Sequence, residues 1–289
     1  RTSPRTPASS LVPLPEGLDP ERIEGVFVDL DGTVVHHAEL LPTAVDAVAA
    51  LQATGVPVVV ATGRMFISAC RFADLLNAAD PVICFQGALV GSRSTGEVLH
   101  HEQLDVEAAR EIIAAIAETG EHINVMTADA FYVSEDNAEA QRYAQSARVP
   151  VNAVGDLAAW LDQPVTKLVV SGEPERMDAL RDALVPRFGD RAFIAKSLPF
   201  YLEVAAPGVH KGVGCQFVAD LLGLDQQHCV TIGDGENDLE LIDWAGFGIA
   251  VGGGHDELIR RADWVAPSID DDGVPRVLQA IAEARSPQR

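Results

Sequence analysis

The stretch Val26-Phe27-Val28-Asp29-Leu30-Asp31-Gly32-Thr33-Val34-Val35 decides the fold of this 289-residue chain. An apolar run enters two carboxylates at alternate positions and stops at Gly-Thr. Successive strand residues face opposite ways, so Asp29 and Asp31 would share a face if the strand continued. The strand ends there instead, which sets both acids at its carboxyl edge, where open α/β sheets bind ligands. Two carboxylates that close repel each other unless a cation or a shared proton relieves them. A bound metal is the first expectation.

Downstream, Leu41, Val45, Val48 and Leu51 recur at helical spacing, and Gly55 supplies a stop. The β-branched run 56–60 predicts a second strand, ending in Thr62-Gly63-Arg64. A helical stretch reaches about Asn77, and residues 82–85 read as a third buried strand. Alternating strands and helices with continuously apolar strands predict a parallel sheet with right-handed crossovers. The pattern then changes. Residues 88–98 read as a hairpin turning on 91–96, and a helix from Asp105 sets Ala109, Ile112, Ile113 and Ile116 on one face. Short strands at 123–126 and 131–134, then further helices and a strand, continue to about Ala195. This predicts a separate α/β unit inserted into the first, with Pro199 and Pro207-Gly208 marking the return.

The last third resumes alternation. A helix at 211–222 leads to a strand at 229–232, then Gly233-Asp234-Gly235-Glu236-Asn237-Asp238, a helix and a strand at 247–251. A short strand at 263–265 and a closing helix at 274–284 complete the pattern. The expected domains are a core of residues 21–88 and 200–289, an insertion of 89–199, and a disordered leader of 1–20. That leader is rich in Pro, Ser and Thr and lacks the apolar core of a signal peptide. The missing initiating Met suggests a trimmed chain.

Composition bounds the partners. The formal net charge is -22, from 43 acidic and 21 basic residues, a field that repels nucleic acid and anionic membranes. Neither is an expected partner. The same field repels an anionic substrate unless a cation and placed basic groups invert it locally. Cys70, Cys84, Cys215 and Cys229 are widely spaced without a CxxC pair, which reads as reduced thiols in a cytoplasmic protein rather than a disulfide or zinc site. No apolar run approaches membrane-spanning length. Oligomeric state is not legible.

In one parallel sheet, the ends of the strands and the starts of the helices that follow share an edge. Asp29, Asp31, Thr62, Lys211 and Asp234 all fall there, giving carboxylates flanked by a hydroxyl and an ammonium. Mg²⁺ prefers oxygen ligands and pairs with phosphate oxygens. A metal, a lysine and a strand-end hydroxyl are the parts that hold a transferring phosphoryl group.

Four segments resemble the signatures of the haloacid dehalogenase (HAD) superfamily: Asp29-Leu30-Asp31-Gly32-Thr33, Ala61-Thr62-Gly63-Arg64, His210-Lys211-Gly212 and residues 233–238. Their order and the size of the insertion are similar to the Cof-type sugar-phosphate phosphatases, from about Val26 to the end. The resemblance implies an α/β fold: a Rossmann-like three-layer parallel-sheet core with the insertion as an α/β cap. It implies a magnesium-dependent phosphatase of a small phosphorylated metabolite acting through an aspartyl-phosphate. Asp29 is then nucleophile and metal ligand. Asp31 is the acid-base, with its carbonyl on the metal. Thr62, Gly63, Lys211 and Asn237 bind phosphate or substrate, Asp234 ligates Mg²⁺, and Asp238 supports the ligands from behind. Two places depart from the pattern: Gln86-Gly87 replaces the usual Asn-Gly, and Gly252-Gly253-Gly254-His255 replaces an Asn-Ala pair. A phosphosugar mutase, or a non-catalytic sensor of a phosphorylated ligand, remains an alternative.

Plainer readings stand beside these. Asp and Thr in βα loops commonly cap helices or make turns, and a lysine at a helix start is commonly solvated. Adjacent histidines diverge and rarely chelate one ion, so His36-His37 and His100-His101 are expected in solvated loops. Trp160, Trp244 and Trp264 are expected to pack. Arg64 could reach substrate or pair with an acid at the interface with the insertion.

Overall fold

The computed structural model describes residues 12–286. Its centre is a parallel sheet of five strands in the order Trp264–Ser268, Phe247–Gly252, Cys229–Gly233, Gly25–Val28 and Val58–Val60. The first strand of the chain lies between Cys229–Gly233 and Val58–Val60, with Val28 opposite both Ile232 and Val60. Every residue of these three adjacent strands is buried, as continuous apolar runs require when helices cover both faces. Pro42–Gln52 packs beside the closing helix Gly273–Arg285. Val218 and Ala219 of Lys211–Leu222 seal another part of the core against Phe27 and Val59.

The third strand forms, over Val82–Cys84, but it joins the parallel sheet through a single bridge between Ala61 and Ile83. Its ladder runs antiparallel to Leu89–Gly91, which in turn pairs with Val98–His101. Two features turn the chain here. The neighbouring strand ends at Val60, and the turn Phe85–Gly87 takes three consecutive positive φ angles of 50°, 60° and 94°, which fold the chain straight back on itself. The hairpin assigned by sequence to the insertion thus hydrogen-bonds to the core side, and Val90 is buried with Phe27 and Val59.

The inserted unit has a six-stranded sheet in the order Asn152–Ala153, Phe131–Val133, His122–Met126, Lys167–Ser171, Tyr201–Ala205 and Phe193–Leu198. Tyr201–Ala205 belongs to this sheet, although the sequence division placed it with the returning core. The return comes after Ala205, at Pro207-Gly208. Val106–Ala117, N-capped by Asp105, and Pro174–Phe188 bury one sheet face through Ile112, Leu168, Val170, Leu184 and Val204. The alternate residues Met126, Val169 and Ala205 lie on the opposite face and pack with the core. That alternation aims one side of the insertion at the strand ends of the parallel sheet.

The expected leader divides. Residues 1–11 lie outside the described residues. Val12 is buried, Leu14 and Leu18 pack on the core, and Asp19 caps the short helix Pro20–Arg22. Apolar side chains within a Pro-rich stretch tie it down. Cys84, Cys215 and Cys229 are buried and Cys70 is half-buried, all as free thiols. Trp244 meets Phe27 edge-on and Trp160 packs on Tyr132. His36 and His37 stack on each other, and His100 stacks on Phe217. No helix among the described residues is long and apolar enough to cross a membrane.

Candidate active site

The strand Gly25–Val28 delivers Asp29 to the sheet edge, where it is 4% exposed. Lys211, the first residue of its helix and fully buried, points its ammonium at two acids at once: Asp29 Oδ1 and Asp238 Oδ1, each at 2.6 Å. The other oxygen of Asp238 accepts from the backbone N–H groups of Asp234 and Gly235, both at 2.9 Å. Both Asp238 oxygens are thereby engaged, and Asp238 fixes the loop that carries Asp234. Thr33 Oγ1 donates to Asp234 Oδ1 at 3.3 Å. His255 N donates to the carbonyl of Asp234 at 2.7 Å, so the glycine-rich loop 252–255 braces the same residue.

Carboxylate oxygens of Asp29, Asp234 and Asp238 lie within 4.8 Å of one another. Three acids against one ammonium leave net negative charge in a buried place, which is costly without a further cation. Burial, aided by the charges of Asp238 and Asp234, holds the Asp29 carboxyl well above the usual range, against the pull of Lys211. Burial and Asp238 push Asp234 up to about 6. Burial alone would lower the Lys211 pKa, but Asp238 and Asp29 outweigh it and raise it above the ordinary lysine value. The donor set is all oxygen, partly pre-bonded and electron-rich, and it fits a hard divalent cation such as Mg²⁺.

Asp31 departs from the cluster. Its half-exposed carboxylate is gripped by Arg64, with Nε to Oδ2 at 2.7 Å and Nη2 to Oδ1 at 2.5 Å. Arg64 is itself held by Ser68 Oγ at 3.2 Å and lies 4.5 Å above the Phe72 ring. Arg64 pairs with an acid, but with Asp31 at the core strand end rather than with an acid of the cap interface. Thr62 is buried and its Oγ1 accepts from Arg64 N at 3.3 Å. Asn237 donates to Gln86 Oε1 at 3.1 Å, away from the acids. Gln86 lies so close over Gly63 that a Cβ there would collide with its side-chain amide, so the glycine is what admits the amide pair.

A cleft of about 350 Å³ opens onto Asp29, Asp31, Thr62, Gly63, Asn237 and Asp234 from one side. Met126, Tyr143, Lys167, Tyr201 and Glu203 of the insertion line the other. Lys167 is buried, pairs with Glu203 Oε2 at 2.9 Å and donates to the carbonyl of Gly63 at 3.4 Å. Sequence reasoning missed these residues. The signal was present, however: Lys167 and Glu203 are charges set on otherwise apolar strands, at alternating positions that share one face.

Comparison with known proteins agrees with this geometry. The haloacid dehalogenase-like hydrolase family matches residues 26–278. A phosphoglycolate phosphatase of Archaeoglobus fulgidus is 29% identical over 265 residues, which cover 91% of this chain and 98% of that protein. A solved protein of Thermotoga maritima is 29% identical, with a TM-score of 0.78 over 89% of this chain and 97% of its own. A haloacid dehalogenase-like hydrolase from Bacteroides thetaiotaomicron shares the fold at 20% identity, with a TM-score of 0.81 over 90% of this chain and 99% of its own. With the match spanning most of the sequence and all four motifs, the chain belongs to the haloacid dehalogenase-like hydrolases and is an enzyme of their phosphatase type.

Proposed function

We propose that this chain is a Mg²⁺-dependent phosphomonoesterase that releases phosphate from a small phosphorylated metabolite, such as a sugar phosphate, through an aspartyl-phosphate. The observation that carries this reading is the buried Lys211 ammonium bridging Asp29 and Asp238 beside Asp234. Asp29 and Asp234 would hold the metal, with the Asp31 carbonyl, and Asp238 would support them from behind. When bound, Mg²⁺ neutralises phosphate charge and polarises phosphorus.

The chain's own groups do the rest. Lys211 orients the Asp29 carboxylate and offsets the charge that phosphate adds beside it. Asp29 attacks phosphorus, forming the acyl-phosphate bond as the P–O bond to the alcohol breaks. Asp31 gives its proton to the leaving alkoxide, then takes one from the water that hydrolyses the intermediate. Thr62, Gly63 and Asn237 bind substrate oxygens. For this, Asp31 must leave Arg64. The half-exposed carboxylate screens this pair while its bidentate fork strengthens it, so the exchange draws on substrate binding energy. The insertion closes the cleft against water and selects the leaving group. The free thiols fit a cytoplasmic enzyme.

The test is turnover of an aryl phosphate with and without Mg²⁺. Wild-type protein should release phosphate only with the ion, and Asp29→Asn should release none. Full activity in Asp29→Asn would sink the mechanism.

A further inference from the structure

The face of the inserted sheet that looks onto the catalytic cleft does not end there. Register places its side chains in rows across three strands: Met126, Lys167 and Ala205 in the first, Asn124, Val169 and Glu203 in the second, and His122, Ser171 and Tyr201 in the third. Met126, Lys167, Val169 and Glu203 of the first two rows line the catalytic cleft. The third, with Asn124, lines a second cleft of about 780 Å³. Tyr143 and Tyr201 line both clefts. The two spaces are therefore neighbouring compartments on one sheet face. Four residue steps along the strand take Lys167 to Ser171, roughly 13 Å.

The outer compartment is built for hydrogen bonding and lacks a use in the chemistry above. Ser171 Oγ is buried without a partner among the described residues. Asn124 is 2% exposed, and its carbonyl oxygen bonds the His122 ring at 3.1 Å, while Asn137 Nδ2 holds the other ring nitrogen at 3.3 Å. In that arrangement Nδ1 accepts and Nε2 donates, which leaves the Asn124 amide hydrogens for another acceptor. A buried polar group without a partner is costly, so Ser171 Oγ implies a ligand or ordered water. The charges restrict which ligand. Arg176 pairs with Glu121 and Arg142 with Glu139. Glu135 and Glu173 line the cleft with no ion-pair partner among the described residues, so a second anionic group is repelled.

We infer that the natural substrate is a phosphomonoester of an extended polar alcohol, uncharged or cationic at its far end, which lies in this outer compartment while the phosphate sits at Asp29. The inference rests on the phosphatase reading. The leaving group passes Lys167 and Glu203, which donate to and accept from its nearer hydroxyls. It then crosses between Tyr143 and Tyr201 to reach Ser171 and Asn124.

The experiment compares kcat/KM, with Mg²⁺, for three monoesters: glycerol phosphate, an amino-terminated polyol phosphate long enough to span more than the roughly 13 Å from Lys167 to Ser171, and the same polyol ending in a carboxylate. The expected order puts the amino ester at least tenfold above the other two. Ser171→Leu, which removes the hydroxyl and narrows the compartment, should cut the ratio of amino ester to glycerol phosphate about tenfold, the loss of one or two hydrogen bonds. A wild-type ratio near one, a preference for the carboxylate ester, or a ratio that Ser171→Leu leaves unchanged would overturn the inference. If Ser171→Leu does not fold, the wild-type order alone decides it. Absence of phosphate release from all three esters and from an aryl phosphate would instead refute the phosphatase reading, and calorimetric binding of the amino ester would then decide the compartment.

Discussion

Replacing Lys211 with methionine tests the electrostatic design of the site directly. The side chain is fully buried and holds two carboxylates at 2.6 Å each. Methionine keeps the length and apolar stem of lysine, so cavity and packing losses stay small. What changes is that Asp29 and Asp238 face each other, and Asp234, with no ammonium between them. Removing one partner of a buried ion pair costs about 3–5 kcal/mol. For a chain of this size class each kcal/mol moves Tm by roughly 2–4 °C, so Lys211→Met should melt about 6–20 °C lower. Calorimetry with EDTA present measures this, since no divalent ion then stands in for the missing charge. A double-mutant cycle isolates the pair. Asp238→Asn should cost clearly less in the Lys211→Met background than in wild type, because there it removes an uncompensated charge. A Tm within 2 °C of wild type, or two costs that simply add, would refute the reasoning.

Other outcomes follow from the same structure. Gly32 sits at φ +80°, and a Cβ there would strike the Asp234 carboxylate. Gly32→Ala should thus weaken Mg²⁺ binding by calorimetry and cut aryl-phosphate turnover by about 10²-fold, and unchanged affinity would contradict the placement of Asp234. Asp80 accepts from Ser92 Oγ and Ser94 Oγ, both at 2.7 Å, and from Arg93 N at 2.8 Å. Although burial opposes it, these bonds hold its carboxyl below the usual range. A depressed carboxylate contributes stability above its unfolded value, near 3.9, and loses it as pH falls through the folded one. Asp80→Asn should therefore cost about 2 kcal/mol at pH 7 in urea unfolding, with the gap to wild type closing in strong acid.

The sequence was most legible where physics is local. Val26 to Val28 had to be buried strand because every residue is apolar, and the acids after them had to break it. Lys211 and Asp234 could be brought to one edge because in a parallel sheet all strand ends point the same way. The Val82–Cys84 strand shows the limit. Its apolar character was plain, but its partner was not, since ladder direction depends on a turn with positive φ at Phe85 and Gln86, which neither residue type announces. Tyr201–Ala205 is another case: it pairs with the adjacent Phe193–Leu198 and with Lys167–Ser171, and no local pattern says which sheet claims it.

By itself the sequence determined the α/β core, the inserted unit and which acids, lysine and threonine gather at the strand ends, because those follow from periodicity and from strand direction. Only the tertiary structure decided that Asp31 rests on Arg64, that Asn237 pairs with Gln86, and that Lys167 and Glu203 face Asp29. These are contacts between residues far apart in the chain, made by side chains that could each have turned to solvent. Their partners are set by how two sheets lie against each other, and no local pattern encodes that. The opening pair Asp29 and Asp31 is the clearest case. Its spacing placed two carboxylates at one strand end, but it took Lys211 and Arg64 to give each acid a different neighbour.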